Sequence, residues 1–152
     1  MSRKLFAAAA AFAVLLSAAN AYQGGGDALL DKKDKLTDKD PGYKPDPSML
    51  TNELDKIVAK AVDGNAHKVF TVKLAKGDKV VIELKSKDFD AVVAVENAAR
   101  KVVAINDDDP AGKGTLDSRL EWTVPEAGDF RIVATCLDKQ FGDFHLTVTK
   151  AK

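Results

Sequence analysis

The sequence predicts an all-β fold: an antiparallel β-sandwich of about seven to eight strands, preceded by one short helix. Beyond Asn65, apolar and polar residues alternate with a period of two, as around Phe70, Val72 and Leu74, which is typical of strands with one buried face. Short stretches of this kind recur at regular spacing, with a glycine or aspartate turn between most of them, and this favours a sandwich. The connections are too short to hold the crossover helices of a parallel sheet.

Seven strands are predicted, and each is marked by its apolar residues. They cover residues 70–74, 80–84, 91–95, 101–105, 120–124, 130–136 and 144–148. His145, Thr147 and Thr149 alternate with the apolar residues of the last strand and are expected to face outward. The aromatic residues within strands share the apolar phase, so we expect them in the core. Phe141, in the last loop, is the one aromatic residue that qualifies as a candidate contact.

The first 21 residues have the pattern of a secretory signal peptide. Two basic residues come first, an apolar run over residues 5–16 follows, and small residues precede the expected cleavage point between Ala21 and Tyr22. The apolar run is shorter than the roughly 20 residues that a membrane-spanning helix needs. We therefore expect a secreted or periplasmic protein with no membrane insertion after cleavage; an uncleaved anchor helix is the alternative.

The charge of the chain argues against one class of partner. Without the two basic residues of the signal peptide, 21 basic residues remain against 23 acidic ones. These charges are interspersed, so the sequence offers no basic patch to attract nucleic acid. Nucleic-acid binding is not expected.

Residues 22–47 are predicted to form a charged flexible linker. The stretch holds a glycine run, alternating aspartate and lysine residues and three prolines, with few apolar side chains whose burial would offset the entropy of ordering. The only local structure expected there is a short helical turn between Ala28 and Leu36.

Residues 48–64 are predicted to form one amphipathic helix ahead of the sandwich domain, residues 65–152. Thr51 is the expected N-cap, and Gly64 is expected to end the helix. Apolar residues at helical spacing make a single stripe that should pack on the sheet or cover an open edge; binding a partner is the alternative. The stripe consists of Leu50, Leu54, Ile57, Val58 and Ala61.

The sequence shows no catalytic motif, and the chain is not expected to be an enzyme. His67 and His145 belong to no metal-binding histidine pair, and there is no Gly-x-Ser-x-Gly motif or glycine-rich phosphate loop. Ser86 and Ser118 lie near aspartates, but proximity in sequence assigns no catalytic triad. Cys136, the single cysteine, shares the inward phase of its strand, so we expect a buried, inert thiol instead of a nucleophile.

An acidic loop after the fourth predicted strand is the strongest candidate site. Asn106 and the three aspartates that follow it place oxygen-bearing side chains together, and their repulsion is costly unless a cation compensates. Calcium takes six to eight oxygen ligands, and Asp88 and Asp90 add to the set if their loop lies at the same end of the sandwich. The spacing does not fit a helix-loop-helix calcium loop. The alternative is a metal-free loop whose aspartates cap turns.

Six segments in order resemble the bacterial pre-peptidase C-terminal domain family. They are VFTVKL at 69–74 with Gly77-Asp78, DFD at 88–90, VAINDD at 103–108, DSRL at 117–120 with WTVP at 122–125, GDFRI at 128–132, and GDFHLTV at 142–148. The resemblance spans about residues 66–150. It implies a jelly-roll-like sandwich of the kind that is appended to exported enzymes.

The resemblance also implies a calcium site, because related collagen-binding modules bind calcium through acidic loops. The implied ligands are Asp90, Asn106, Asp107 and Asp108, with Asp88, Asp109 and Asp117 as further candidates.

These observations predict a secreted, non-catalytic accessory or binding module, with calcium as a candidate stabilising ion. The expected partner is a protein or a polysaccharide in the extracellular or periplasmic space. Two alternatives stay open. One is a structural protein of the cell envelope, and the other is a hydrolase whose pocket residues converge only in the folded chain.

Overall fold

The computed structural model describes residues 27–112 and 114–151, which form two packed antiparallel sheets with one helix outside them. The elements are β1 (Ala28–Leu36), α1 (Glu53–Ala61), β2 (His67–Leu74), β3 (Lys79–Ser86), β4 (Ala91–Glu96), β5 (Val102–Asn106), β6 (Ser118–Thr123), β7 (Gly128–Cys136) and β8 (Gly142–Lys150). The predicted all-β sandwich is confirmed, and the seven predicted strands are β2 to β8. The predicted signal peptide lies outside the described residues. Within the described ranges, no helix has the length and apolar character needed to span a membrane.

The strands are shared between two sheets of four. Sheet 1 has the order β1-β8-β3-β6, and sheet 2 has the order β2-β7-β4-β5. Every neighbouring pair is antiparallel. Because most consecutive strands from β2 onward lie in different sheets, the chain passes repeatedly across the core, as in a jelly roll.

The core lies between the two sheets and is built by the alternation that the sequence shows. Phe130 and Phe144 are buried in it, and Phe70 and Trp122 pack against its margin, as expected for core aromatic residues. Cys136 is fully buried in the same core, which confirms the prediction for this residue.

The stretch predicted as a flexible linker contains β1, and the short helical turn expected between Ala28 and Leu36 is this strand instead. This strand pairs with β8 over nearly its whole length and forms one edge of sheet 1, so the sandwich begins well before residue 65. Leu36 is fully buried, and Leu30 packs against the core. Only these two apolar side chains anchor the strand. Its remaining stability comes from backbone hydrogen bonds with β8, and amino-acid composition does not reveal such pairing.

The chain between β1 and β2, residues 37–66, covers the outer face of sheet 2, and we call it the cover segment. Isolated bridges join Gly42 to Ala66 and Asp46 to Lys101. A second apolar cluster fills the space between the segment and the sheet. Its buried members are Tyr43, Leu50, Ala59, Val62, Val92, Ala94, Val102, Ile105 and Val133.

The helix inside the cover segment is shorter than predicted, and only part of the predicted stripe faces the sheet: Leu50 and Val58 belong to the second apolar cluster. It begins at Glu53, because the side chain of Asn52, and not that of Thr51, accepts the backbone N–H of Leu54 at 2.9 Å. The face toward the sheet carries small residues such as Ala59, which let the helix approach closely. Leu54 and Ile57, both placed in the predicted stripe, are 70% and 63% exposed.

Asn65 holds the end of the cover segment to sheet 2. Its side chain is buried, and its amide donates to the carbonyl oxygens of Cys136 at 2.8 Å and Leu137 at 3.0 Å. Gly64, with φ of 82°, makes the left-handed turn between the helix and this anchor, in line with its predicted role in ending the helix.

Candidate functional site

The acidic loop lies at one end of the sandwich, beside two other loops. Asp90 precedes β4, Asp107 and Asp108 follow β5, and Asp138 follows β7. The backbone N–H of Leu137 donates to the carbonyl oxygen of Asp90 at 2.9 Å and ties two of these loops together. The structure therefore brings Asp90 close to the acidic loop.

The carboxylates at this end destabilise one another's ionised forms. Burial, followed by the charges of Asp107, Asp108 and Asp138, raises the pKa of Asp90. Burial, followed by the charge of Asp108, raises the pKa of Asp107, and Asp55 on α1 adds to the effect. The chain thus concentrates negative charge here.

Asn106 closes its own loop. Its amide donates to the carbonyl oxygens of Asp108 and Arg119, both at 2.6 Å. The hydroxyl of Ser118 donates to the carbonyl oxygen of Asn106 at 2.7 Å. The side chain thus links the acidic loop to β6, a structural role that the sequence did not reveal.

The three further candidate ligands each accept a hydrogen bond from a backbone amide and cap a turn or a loop. The bonds run from Asp143 N to Asp88 Oδ2 at 2.8 Å, from Ala111 N to Asp109 Oδ1 at 2.9 Å, and from Ser86 N to Asp117 Oδ1 at 3.1 Å. For these residues the structure matches the turn-capping alternative.

The fit of this loop to a calcium ion is partial. Carboxylate oxygens are the right donors, and Asp90, Asp107 and Asp108 interact through their charges. However, within residues 27–112 and 114–151 no group of three or more histidine, cysteine, aspartate or glutamate side chains is placed to hold a metal ion. Calcium binding at this loop stays a prediction.

A groove of about 800 Å³ lies on the outer face of sheet 1. Strand register places Lys33 of β1 and Lys85 of β3 on either side of His145 of β8. One step along, Lys35 lies opposite Asp143. The groove is lined by Lys33, Asp34, Lys35, Lys85, Ser86, Lys87, Asp88, Asp117, Asp143, Phe144 and His145.

Most of the aspartates that line this groove have partners within the chain. Asp34 pairs with Lys68 of sheet 2 at 3.1 Å, and Asp88 and Asp117 accept the backbone amides described above. The interactions of Lys68 and of the Lys35 backbone amide help to lower the pKa of Asp34, although burial acts in the opposite direction.

The lysines of the groove differ in their partners, and Lys85 lies 3.6 Å from the buried carboxylate of Glu83. Lys35 lies 4.0 Å from the exposed carboxylate of Asp143. Neither Lys33 nor Lys87 forms an ion pair with any carboxylate in the described part of the chain. His145 contacts Asp31 through Nε2 at 2.7 Å at the rim, which agrees with the outward orientation that the sequence predicts.

The sequence did not predict the groove, because its residues come from three strands that are distant in sequence. The available signal was the repeated Lys-x-Lys pattern, at residues 33–35 and 85–87. Alternation places both lysines of such a pair on one face of a strand. The first pair lay in the stretch predicted as a linker, so it was not placed on a strand.

Residues considered for catalysis have structural roles. Ser86 Oγ donates to the carbonyl oxygen of Asp143 at 2.8 Å, and Ser118 closes the acidic loop. Burial raises the pKa of the Cys136 thiol, which makes its nucleophilic thiolate form scarcer. His67 contacts the carbonyl oxygen of Pro41 through Nδ1 at 2.7 Å. Phe141 is 45% exposed, as expected for a loop residue.

Comparison with known proteins supports the fold and goes no further. No protein-family model and no curated protein sequence matches the chain. Among solved structures, it is similar to the pre-peptidase C-terminal domain of a collagenase from Bacillus anthracis. The TM-score is 0.52 and the identity 10%, over 79% of this chain and 88% of that one. The chain therefore has a fold like that of a pre-peptidase C-terminal domain.

A second solved structure is more distant. It is PliG from Aeromonas hydrophila, a periplasmic lysozyme inhibitor of g-type lysozyme. The TM-score is 0.49 and the identity 12%, over 83% of this chain and 88% of that one. A likeness at this level carries no functional argument.

Proposed function

We propose that the chain is an exported, non-catalytic binding module and that the outer face of sheet 1 is its binding face. One observation carries this proposal. The cover segment and the second apolar cluster cover the outer face of sheet 2 around β4 and β5, whereas the outer face of sheet 1 contains the groove. Sheet 1 thus offers a concave surface to a partner.

The chemistry of the described residues favours binding over turnover. The serines considered as nucleophiles donate to backbone carbonyls, and the single thiol is buried in the core. The fold is that of a module found in larger exported proteins. The signal-peptide pattern places the partner, a protein or a polysaccharide, outside the cytoplasm.

Site-specific crosslinking tests this proposal. A photoreactive amino acid at Thr147, on the outer face of sheet 1, should crosslink to a component of the exported or envelope fraction. The matched control is the same amino acid at Thr71, which is exposed on sheet 2. Crosslinks from Thr71 alone, or turnover of generic ester or peptide substrates by the purified protein, would contradict the proposal.

The same experiment separates a structural envelope role from a soluble accessory role. If the chain is structural, the Thr147 crosslinks should sediment with the envelope and resist salt washing. If it is an accessory module, they should remain in the soluble exported fraction. Sheet 1 is the binding face in both cases.

Calcium stabilisation is a second proposal, and the repulsion among Asp90, Asp107 and Asp108 supports it. A cation that binds only the folded state adds about 2.7 kcal/mol when its concentration is one hundred times its dissociation constant. Thermal unfolding in millimolar calcium and then in chelator should therefore differ by several degrees. Equal unfolding midpoints would contradict the calcium proposal, and the aspartates of the loop would then serve only to cap turns.

A further inference from the structure

We propose that two copies of this chain associate through the exposed face of α1, with the two helices packed antiparallel about a two-fold axis. The helix turns Ala59 toward sheet 2, and its opposite face carries exposed apolar residues. Because α1 lies outside sheet 2, pairing through this face leaves the outer face of sheet 1 free in both copies. The inference therefore does not rest on the proposed function.

The exposed face of α1 is an apolar stripe. Leu54 is 70% and Ile57 63% exposed, and no other large apolar side chain in residues 27–112 and 114–151 is exposed to this extent. Ala61 is exposed as well and follows Leu54 by seven residues, so the three side chains lie along one line of the helix. Apolar residues that are alternately three and four apart are typical of a helix surface that packs against a second helix.

Opposite charges flank this stripe on one side. Glu53 directly precedes Leu54 and Lys60 directly precedes Ala61, so the two charged residues lie on the same flank, two turns apart. Lys60 forms no ion pair with a carboxylate in the described part of the chain. Glu53 lies 2.7 Å from Lys56 of its own helix, but a solvent-exposed pair of this kind contributes little, and a carboxylate can accept from a second cation.

These charges select an antiparallel pair of identical helices. A two-fold axis through Ile57 places the same flank of both helices on one side of the pair, so Glu53 of each copy lies opposite Lys60 of the other. Leu54 then lies opposite Ala61, and the two helix dipoles attract one another. In a parallel pair the charged flank of one helix would lie beside Val58 of the other, without an opposite charge. The stripe is thus self-complementary in one orientation.

The interface is small, and its size predicts its strength. One helix of nine residues from each copy buries less than the roughly 1,200–2,000 Å² that specific, stable interfaces bury. The association should therefore be reversible and should appear only at high protein concentration.

Sedimentation equilibrium of the purified protein, from micromolar to millimolar concentration, tests the inference. The average mass should rise with concentration from that of a monomer toward that of a dimer. Ile57→Asp should weaken the association by tenfold or more, on the order of the cost of two carboxylates that meet on the two-fold axis. Leu29→Asp is the matched control, because Leu29 is 39% exposed on β1 of sheet 1, and it should associate like the parent protein.

Charge reversal tests the orientation of the pair. Glu53→Lys alone brings lysines together at both ends of the stripe, and Lys60→Glu alone brings glutamates together. Each variant should self-associate roughly tenfold more weakly than the parent protein, because two attractions become two repulsions. An equimolar mixture of the two variants should recover the association, because a lysine then lies opposite a glutamate at both ends. Loss of folding cannot produce this recovery.

Several results would overturn the inference. The parent protein could remain monomeric at millimolar concentration, or Ile57→Asp and Leu29→Asp could have the same effect on association. Charge variants that associate as well as the parent protein, or a mixture that fails to recover the association, would contradict the antiparallel pair. None of these results bears on the binding face of sheet 1, which crosslinking from Thr147 tests separately.

Discussion

The hydroxyl of Tyr43 donates a hydrogen bond of 2.9 Å to Oε1 of Glu96, across 53 residues of sequence. Arg131 donates to the other oxygen of the same carboxylate, also at 2.9 Å. Tyr43 and Glu96 are 2% and 3% exposed, so the carboxylate of Glu96 and its hydrogen bond to Tyr43 are buried between the cover segment and sheet 2. Burial and the charge of Glu96 raise the pKa of Tyr43. The network fixes the cover segment to β4 and β7.

Removing the carboxylate of Glu96 should cost more than removing the hydroxyl of Tyr43. Glu96→Ala leaves the guanidinium of Arg131 without its buried partner and should lower the free energy of unfolding by about 3–5 kcal/mol. Tyr43→Phe deletes one hydrogen bond to a charged group and should cost about 1.5–3 kcal/mol. Urea unfolding of both variants, and of the double variant, measures the coupling. Strictly additive losses would show that the network does not act as a unit.

Position 142 requires glycine for two reasons, its backbone conformation and the close approach of the Asp88 side chain. Its φ is 153°, and a Cβ there would overlap the side chain of Asp88. Gly142→Ala should therefore cost about 2–4 kcal/mol, the sum of backbone strain and overpacking. Gly77→Ala is the matched control, because Gly77 has φ of 84° and open space around it. It should cost only about 1–2 kcal/mol of strain. Similar losses in the two variants would refute the overlap with Asp88.

The orientation of α1 predicts that truncating Ile57, within the helix, and Val62, just after it, affects stability very differently. Val62 is fully buried against sheet 2, so Val62→Ala should cost about 2 kcal/mol. Ile57→Ala should change stability by less than about 0.5 kcal/mol, because Ile57 is mostly exposed. Thermal unfolding compares the two variants directly. A larger loss of stability for Ile57→Ala would show that Ile57 faces the sheet, as the sequence predicted.

Replacing Asp90 in the acidic cluster is predicted to stabilise the protein by an amount that depends on pH. The pKa of Asp90 is raised above its ordinary value of 3.8, so the folded state loses stability as pH rises from below that value through the raised pKa. Asp90→Asn should therefore stabilise the protein at pH 7, by about 0.5–2 kcal/mol, the usual range for improved surface charge. The gain should vanish near pH 3, where the carboxyl is protonated in both states.

Asp129→Asn is the control for this effect, since Asp129 is exposed in β7 and lies outside the acidic cluster. It should change stability little at either pH. A gain for Asp90→Asn that persists at pH 3 would show that charge repulsion is not its cause.

The sequence predicts the strands well because alternation is a local pattern. In β8 apolar residues alternate strictly, and this strand was predicted. In β1 only Leu30 and Leu36 contact the core, and the charged residues between them resemble a linker. The strand exists because β8 pairs with it, and pairing of this kind is not visible in the segment itself.

The helix and the groove show a second limit of sequence reasoning. Periodicity correctly predicted a helix and placed Val58 toward sheet 2, but it also assigned Leu54 and Ile57 to the buried face, and these are exposed. Ala59 and Val62 pack closely against sheet 2 in their place. In the acidic loop, Asp90 interacts through its charge with Asp107, an arrangement that the sequence allowed only if the two loops met, while the amide contacts of Asn106 were not predicted. Such contacts depend on loop geometry that spacing alone does not define.

Lysine footprinting tests the central claim, that sheet 1 is the binding face, most directly. The purified protein is acetylated at limiting reagent with and without the exported fraction, and each lysine is quantified by mass spectrometry. We predict protection of Lys33, Lys35, Lys85 and Lys87, and no protection of Lys73 or Lys76. Protection confined to Lys56 and Lys60 of α1, or spread evenly over all lysines, would contradict the claim.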